Sequence, residues 1–282
     1  MKYECHGHII ADGENYAEAM ERHQKGVDVL YVRNVLKRIA DHGIGYYRDG
    51  GDKYMVSAYA KKIAVDYGID YRTPIFITYR KGYYGSMYGR SFESRSEYRA
   101  LIQEAKTLDA DFVKLTVSGL LDFNEGGRLL GPVFNGAALK EAVKIANGEG
   151  FRVMAHCNGA DNIKEALENG VESIEHGFWP DSSVIDYFLQ TGAVWVPTCV
   201  TVANIIGTER YDPAVMQNIH DVQKAVLQEA YARGVLIASG SDCGAWMVPQ
   251  GKGTDDEIAV LMAMGVDPER GNAAIRERFV RQ

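Results

Sequence analysis

The sequence has 282 residues, of which 46% are hydrophobic and 24% charged, and its formal net charge is −7. This length and composition fit one large α/β domain or two smaller ones, and they exclude a disordered chain. The acidic balance, without a run of lysine or arginine, argues against nucleic acid or a membrane surface as the main partner and favours a small-molecule substrate.

The N-terminal segment MKYECHGHII lacks the long apolar core of a signal peptide. No later stretch approaches the roughly eighteen apolar residues of a membrane span. We therefore expect a cytoplasmic protein. The four cysteines lie far apart without C-x-x-C spacing, so reduced, packed thiols are expected rather than disulfides or a cysteine zinc site.

Eight short runs rich in β-branched or aromatic residues alternate with helical patterns along the chain. The candidate strands are, in order, YECHGHII, GIGYYRD, PIFITYR, DFVKLTV, FRVMAHC, VESIEHG, AVWVPTCV and VLIASGSD. Helices are predicted for SRSEYRALIQEAKTLDA, NGAALKEAVKIANGEG, ADNIKEALENG and DPAVMQNIHDVQKAVLQEAYARG, which carry capping residues and apolar faces at helical spacing.

Eight βα units in this length predict an α/β protein with a (β/α)8 barrel, a fold that typically takes about 250 residues. We expect residues 1–282 to form one barrel domain with a short C-terminal helical tail. A doubly wound open sheet is the alternative, but no G-x-G-x-x-G follows the first strand.

Active sites of such barrels lie at the carboxyl ends of the strands. Residues that bind metals or move protons stand at the ends of five predicted strands: His6 and His8, then Lys114, His156, His176 and Asp242. Because side chains alternate along a strand, His6 and His8 share one face. Imidazoles and a carboxylate converging on one end of a barrel are a typical ligand set for zinc or a similar divalent ion.

Lys114 needs a separate explanation, because a protonated ammonium is repelled by a dication and has no lone pair to donate. A buried lysine with a lowered pKa could act as a nucleophile. A carbamate formed with carbon dioxide would instead make it an anionic ligand that bridges two metals. The structural alternative is a barrel lysine paired with a neighbouring carboxylate.

In this order, the motifs resemble those of the amidohydrolase superfamily of metal-dependent hydrolases. The matching segments are CHGH, YYRDGG, DFVKLTVSG, MAHCNGADNIKEALENGVESIEHG, VPT and ASGSDCG, and they extend over nearly the whole chain. The lysine together with IEHG most resembles the imidazolonepropionase-like and prolidase-like group.

The resemblance implies a binuclear centre with two divalent ions, expected to be zinc. His6, His8 and Asp242 would bind one ion, His156 and His176 the other, and carboxylated Lys114 and a hydroxide would bridge them. Asp242 would be the catalytic residue that accepts the proton of the attacking water and passes it to the leaving group. The implied activity is cleavage of an amide bond in a dipeptide, an N-acyl amino acid or a cyclic amide.

The sequence departs from the pattern of these relatives at its two ends. Superfamily members commonly carry a small β-sandwich around the barrel, whereas here the first strand begins next to Met1 and MGVDPERGNAAIRERFVRQ ends where sandwich strands would begin. We expect a bare barrel, either natural or truncated. The surface it exposes leads us to expect a homo-oligomer.

The loop after the third strand, YRKGYYGSMYGRSF, departs from its peptidase-like relatives in lacking histidine. Its basic and aromatic residues make it a candidate lid that holds an anionic substrate and excludes water, with a mobile surface loop as the alternative. The candidate substrate-binding residues are Arg80, Tyr83, Tyr84 and Arg90.

The sequence is also compatible with other functions. A lactonase or a phosphoester hydrolase would use the same metal ligands. Related deaminases typically place a glutamate soon after the fifth-strand histidine, where HCNGADN has Asn158, so a deaminase is less favoured. A metal-free barrel that only binds a ligand would leave six ordered ligand-type residues as coincidence.

Overall fold

The structure is a computed structural model that describes residues 1–281. Within this range the chain forms ten strands: β1 (Lys2–Gly7), β2 (Ile44–Asp49), β3 (Asp70–Arg72), β4 (Ile77–Arg80), β5 (Gly89–Phe92), β6 (Val113–Thr116), β7 (Val153–Cys157), β8 (Ser173–His176), β9 (Val194–Val196) and β10 (Leu236–Ile237). The helices of the same residues are α1 (Tyr16–His23), α2 (Val29–Asp41), α3 (Val56–Ile63), α4 (Arg95–Thr107), α5 (Gly136–Gly148), α6 (Ala160–Glu168), α7 (Val184–Thr191), α8 (Val200–Ala203), α9 (Pro213–Ala232), α10 (Lys252–Ala263) and α11 (Glu269–Arg278).

The strands are parallel and follow one another around a ring. One sheet has the order β1-β2-β3, and the other has the order β10-β9-β8-β7-β6-β4-β5. Backbone hydrogen bonds join the two sheets on both sides: Cys5 N donates to Ser239 O at 2.8 Å, and Asp111 N donates to Thr73 O at 2.9 Å. The fold is therefore an α/β (β/α)8 barrel, as the sequence predicted.

The third position of the barrel is the part that the sequence predicted least well. It is divided between β3, which pairs with β2, and β4, which pairs with β6. Between them Ile75 has a φ of 69°, outside the extended region. In addition, β5 lies inside the predicted lid loop and pairs with β4. Segments of three or four residues are too short to show a strand periodicity.

The four predicted helices form as α4, α5, α6 and α9, and side-chain caps are present at the start of α4 and α9. The Ser94 side chain accepts a hydrogen bond from Glu97 N at the start of α4, and Asp212 caps α9, whose first residue is Pro213. At the other end of the chain, Ile275 and Phe279 of the α11 region pack in one buried cluster with strand residues such as Tyr46. This region therefore covers the end of the barrel opposite the carboxyl ends of the strands.

The four cysteines are buried and free, as expected for packed thiols. Among residues 1–281, no helix combines the length and the apolar character that crossing a membrane requires.

Candidate active site

A cavity of about 610 Å³ lies at the carboxyl ends of the strands. Its lining contains all six of the residues that the sequence placed at strand ends: His6, His8, Lys114, His156, His176 and Asp242. The structure thus brings together side chains that are as much as 236 positions apart in the chain, between His6 and Asp242.

Three of these residues form a tight group. Asp242 Oδ1 lies 3.6 Å from His6 Nε2 and 3.5 Å from His8 Nε2. One ligand atom from each of the three residues lies within 4.8 Å of the others. Burial lowers the pKa of His8 to about 3 and holds the pKa of His6 well below its usual value. Near neutral pH, both rings are therefore uncharged and each carries a nitrogen lone pair.

His156 and His176 form a second group beside the first. Their ring centroids lie 4.6 Å apart, and the His176 ring lies 4.9 Å from that of His6. Lys114 Nζ lies 3.5 Å from His6 Nε2. Burial of the ammonium lowers the pKa of Lys114 to about 8, although the negative charges of Glu175 and Asp242 oppose this shift.

The backbone changes conformation at the strand ends that carry these groups. His176, Thr198 and Asp242 have φ values of 65°, 48° and 58°, which residues with a Cβ atom adopt rarely. Thr198 Oγ1 lies 2.8 Å from His176 Nδ1 and can fix the orientation of that ring. Unusual backbone conformations of this kind concentrate at functional sites.

A buried ion pair between Glu175 and Arg48, which the sequence did not predict, contacts His6 on the Nδ1 side of its ring. His6 Nδ1 lies 2.6 Å from Glu175 Oε2, and Arg48 Nη2 lies 2.9 Å from Glu175 Oε1. Arg48 Nε also donates to Cys5 O at 2.6 Å. The side chains of Glu175 and Arg48 are 0% exposed. A carboxylate in contact with Nδ1 directs the lone pair of Nε2 into the cavity.

Glu4 is a second buried carboxylate missing from the predicted site. It accepts hydrogen bonds from the hydroxyls of Ser241 and Thr254, both at 2.6 Å, and from the backbone N–H of His6 at 2.9 Å. These contacts fix the relative positions of the strand that carries His6 and the segment that carries Asp242. The alternation in ECHGH, which places Glu4 on the face of His6, is the signal that could have revealed it.

Of the four candidate substrate-binding residues, only Tyr84 lines the cavity, with its ring centroid 4.8 Å from that of His156. Arg90 lies on β5 and forms a salt bridge with Glu104 of α4. Arg80 packs over the Tyr83 ring, 5.7 Å from its centroid, and neither residue is part of the lining. For Arg90 the unpredicted strand β5 is the reason, because it holds this residue in pairing with β4 while the side chain reaches Glu104 of α4.

The rest of the lining is mainly aromatic and aliphatic. It includes the aromatic residues Tyr16, Tyr88, Phe123, Phe178, Tyr211 and Trp246. A cavity of this size with apolar walls and a few convergent polar groups is typical of sites that bind small molecules.

No family model matches the chain. Curated relatives are uncharacterised proteins from two strains of Mycobacterium tuberculosis and from Mycobacterium bovis, each 28% identical over 186 residues. The match covers 62% of this chain and 47% of each relative, so the chain spans about half the length of the curated relatives it matches.

Solved structures match nearly the whole chain. A Xaa-Pro dipeptidase with bound methionine has a TM-score of 0.76 at 21% identity and covers 98% of this chain and 72% of its own. The A. niger ochratoxinase has a TM-score of 0.76 at 20% identity, with coverages of 99% and 71%. An amidohydrolase has a TM-score of 0.70 at 21% identity, with coverages of 97% and 71%. The chain therefore has the same fold as these solved structures.

Proposed function

We propose that this protein is a metal-dependent hydrolase that cleaves an amide bond in a small molecule such as a dipeptide, an N-acyl amino acid or a cyclic amide. The observation that carries the proposal is the group formed by His6, His8 and Asp242, whose ligand atoms lie within 4.8 Å of one another in a deep cavity. The names of the solved structures with this fold, a dipeptidase, an ochratoxinase and an amidohydrolase, support the choice of an amide bond.

The donor set fits divalent metal ions. Four buried imidazoles and one carboxylate, without a thiolate, favour zinc or a similar ion. We assign His6, His8 and Asp242 to one ion and His156 and His176 to a second, with Lys114 between them as a carbamate. Two such ions, when bound, would lower the pKa of a water molecule and polarise a carbonyl group.

The burial of Lys114 supports the formation of a carbamate. Since burial lowers its pKa to about 8, more of this side chain is neutral near pH 7–8 than of an exposed lysine. The neutral amine adds to carbon dioxide, forming the N–C bond and releasing one proton. The product carries a negative charge where the ammonium carried a positive one, which removes the repulsion toward a dication.

Asp242 is the residue that we assign to proton transfer. Burial raises its pKa to about 7, although the Lys114 charge opposes the shift. That value describes the metal-free site; with the carboxylate held beside the ligand group, one of its oxygens could accept the proton of the attacking water and donate it to the leaving amine. The side chain is 19% exposed, so it can be reached from the cavity.

The test begins with metal analysis of protein expressed with added zinc or manganese, followed by a panel of dipeptides, N-acyl amino acids, cyclic amides, lactones and phosphoesters. We expect bound metal and amide hydrolysis, both lost in His6→Ala and retained in His220→Ala on α9. Protein without metal, with activity unchanged in Lys114→Ala, would refute the mechanism. Hydrolysis of lactones or phosphoesters alone would assign the same ligands to one of those reactions.

We further propose that residues 1–282 form a single barrel domain. The cytoplasmic location and the homo-oligomer stay predictions. Light scattering coupled to size-exclusion chromatography measures the oligomeric state directly.

A further inference from the structure

One arginine at the rim of the cavity has an unusual environment. Arg210 lies between α8 and α9, and its guanidinium carbon is 4.5 Å from the ring centroid of Trp246 and 5.4 Å from that of Tyr211. All three residues line the cavity. Contact with the aromatic rings does not use the N–H groups of the guanidinium, which can still donate hydrogen bonds.

The other charges of the cavity do not neutralise Arg210. Asp122 forms a salt bridge with Arg128, and Lys114 and Asp242 belong to the ligand group. Glu14, the remaining carboxylate of the lining, forms no salt bridge with Arg210. Among residues 1–281, no carboxylate lies within 4.0 Å of the Arg210 guanidinium nitrogens. In a chain with 38 acidic and 31 basic residues, an arginine on a cavity wall without a carboxylate partner is available to an anionic ligand.

Building on the proposed hydrolase function, we propose that Arg210 binds a carboxylate of the substrate and that the substrate is an N-acyl amino acid with large apolar groups. A guanidinium edge matches the two oxygens of a carboxylate. In the described lining, Lys114 is the other lysine or arginine, and it lies in the ligand group. The rim therefore offers one positive charge, which suits a carboxylate better than a phosphate dianion.

The shape and polarity of the cavity support the apolar part of this substrate. Its volume of about 610 Å³ falls within the roughly 300–1,000 Å³ of sites that hold drug-sized molecules. Aromatic side chains such as Tyr16, Tyr88, Phe123 and Phe178 line it. Burial of two aromatic groups against these walls would supply binding free energy, while Arg210 fixes the orientation of the amide.

The test compares N-benzoyl-L-phenylalanine with its C-terminal amide, which differs in lacking the negative charge, by measuring the release of benzoate. We expect Arg210→Gln to lower kcat/KM for the acid about tenfold, as for an exposed charge-assisted hydrogen bond, and to leave the neutral amide within about twofold. Arg210→Lys should fall between, because it keeps the charge but loses the planar fork. Arg99→Gln removes the same charge from an exposed position of α4, outside the lining, and should change neither substrate.

The outcomes separate the two proposals. Equal effects of Arg210→Gln on both probes, or none on either, would overturn the role of Arg210 while leaving the hydrolase function intact. If neither probe is hydrolysed, isothermal titration calorimetry measures the binding of the acid and of the amide to the zinc-loaded protein, and this binding tests the role of Arg210. Preferential binding of the acid that is lost in Arg210→Gln supports the subsite, and no binding of the acid by the unmodified protein overturns it. Thermal melting checks that each variant is folded.

Discussion

Replacing Glu175 by glutamine tests the buried ion pair between Glu175 and Arg48, which contacts His6 Nδ1. The glutamine keeps the size of the side chain and one oxygen acceptor but removes the negative charge. Arg48 Nη2 lies 2.9 Å and 3.1 Å from the two carboxylate oxygens, and both side chains are 0% exposed. The guanidinium would then remain buried with only neutral partners.

The expected cost follows from this burial. Removing one partner of a buried ion pair typically lowers the free energy of unfolding by about 3–5 kcal/mol. The amide oxygen can still accept one hydrogen bond, and Cys5 O still accepts from Arg48 Nε, so we expect the lower end, about 3 kcal/mol. Because His6 Nδ1 also loses its charged partner, zinc affinity should fall by about 10- to 100-fold.

Urea unfolding of EDTA-treated protein measures the stability, and competition with a zinc chelator measures the affinity. The control is Asp186→Asn, which removes the same charge from an exposed pair with Arg233 and should cost less than about 1 kcal/mol. The reasoning fails if Glu175→Gln loses less than about 1 kcal/mol and binds zinc as tightly as the unmodified protein. A loss of stability without a loss of zinc affinity would restrict the pair to a structural role.

Three further changes test the site and its surroundings. Thr198→Val removes the hydroxyl next to His176 Nδ1, so chelator competition should show zinc binding at least about tenfold weaker. Gly50→Ala places a Cβ atom 2.2 Å from Cε1 of the His8 ring, and the displaced ring should reduce the zinc content measured by metal analysis. Burial raises the pKa of Glu257 to about 8, so the folded state retains a proton that the unfolded chain loses above about pH 4.5. The free energy of unfolding should thus fall by about 1 kcal/mol per pH unit between pH 5 and pH 8, relative to Glu257→Gln.

Each of these changes has its own control. Thr198→Ser keeps the hydroxyl and should keep the zinc affinity. Gly148→Ala, at a helix position where an added Cβ atom meets only open space, should leave the zinc content unchanged. Parallel pH profiles for the protein with and without Glu257→Gln would show that this carboxyl does not titrate as argued.

The ligand-type residues could be predicted from the sequence because a barrel places the ends of all its strands around one opening. The alternation rule then assigned His6 and His8 to one face, and the structure brings both to the cavity. The same rule placed Glu175 on the face away from the site, because it precedes His176 and adjacent residues of a regular strand face opposite sides. The φ of 65° at His176 breaks this alternation, so Glu175 contacts His6 while His176 lines the cavity.

The cation that lines the rim could not be predicted in the same way. Arg80 and Arg90 stood in a loop next to a strand end, whereas Arg210 lies in a segment between two helices. Its position depends on contact with the ring of Trp246, which is 36 residues further along the chain. Contacts of this kind between loops follow from tertiary packing and leave no local pattern in the sequence.

Lys114→Met separates the cost of the buried charge from its proposed use. Since burial lowers the pKa of Lys114 to about 8, the ammonium destabilises the metal-free fold near pH 7, and its removal should leave the free energy of unfolding unchanged or raise it by about 1–3 kcal/mol. The unfolded chain binds more protons than the folded one between about pH 8 and pH 10.5, so stability rises with pH in that window and the variant should lack the rise. In the presence of zinc the substitution should be harmful, because the variant cannot form the carbamate. It should bind fewer zinc ions per chain than the unmodified protein. Full zinc stoichiometry in Lys114→Met would contradict the bridging role, whatever the effect on the metal-free protein.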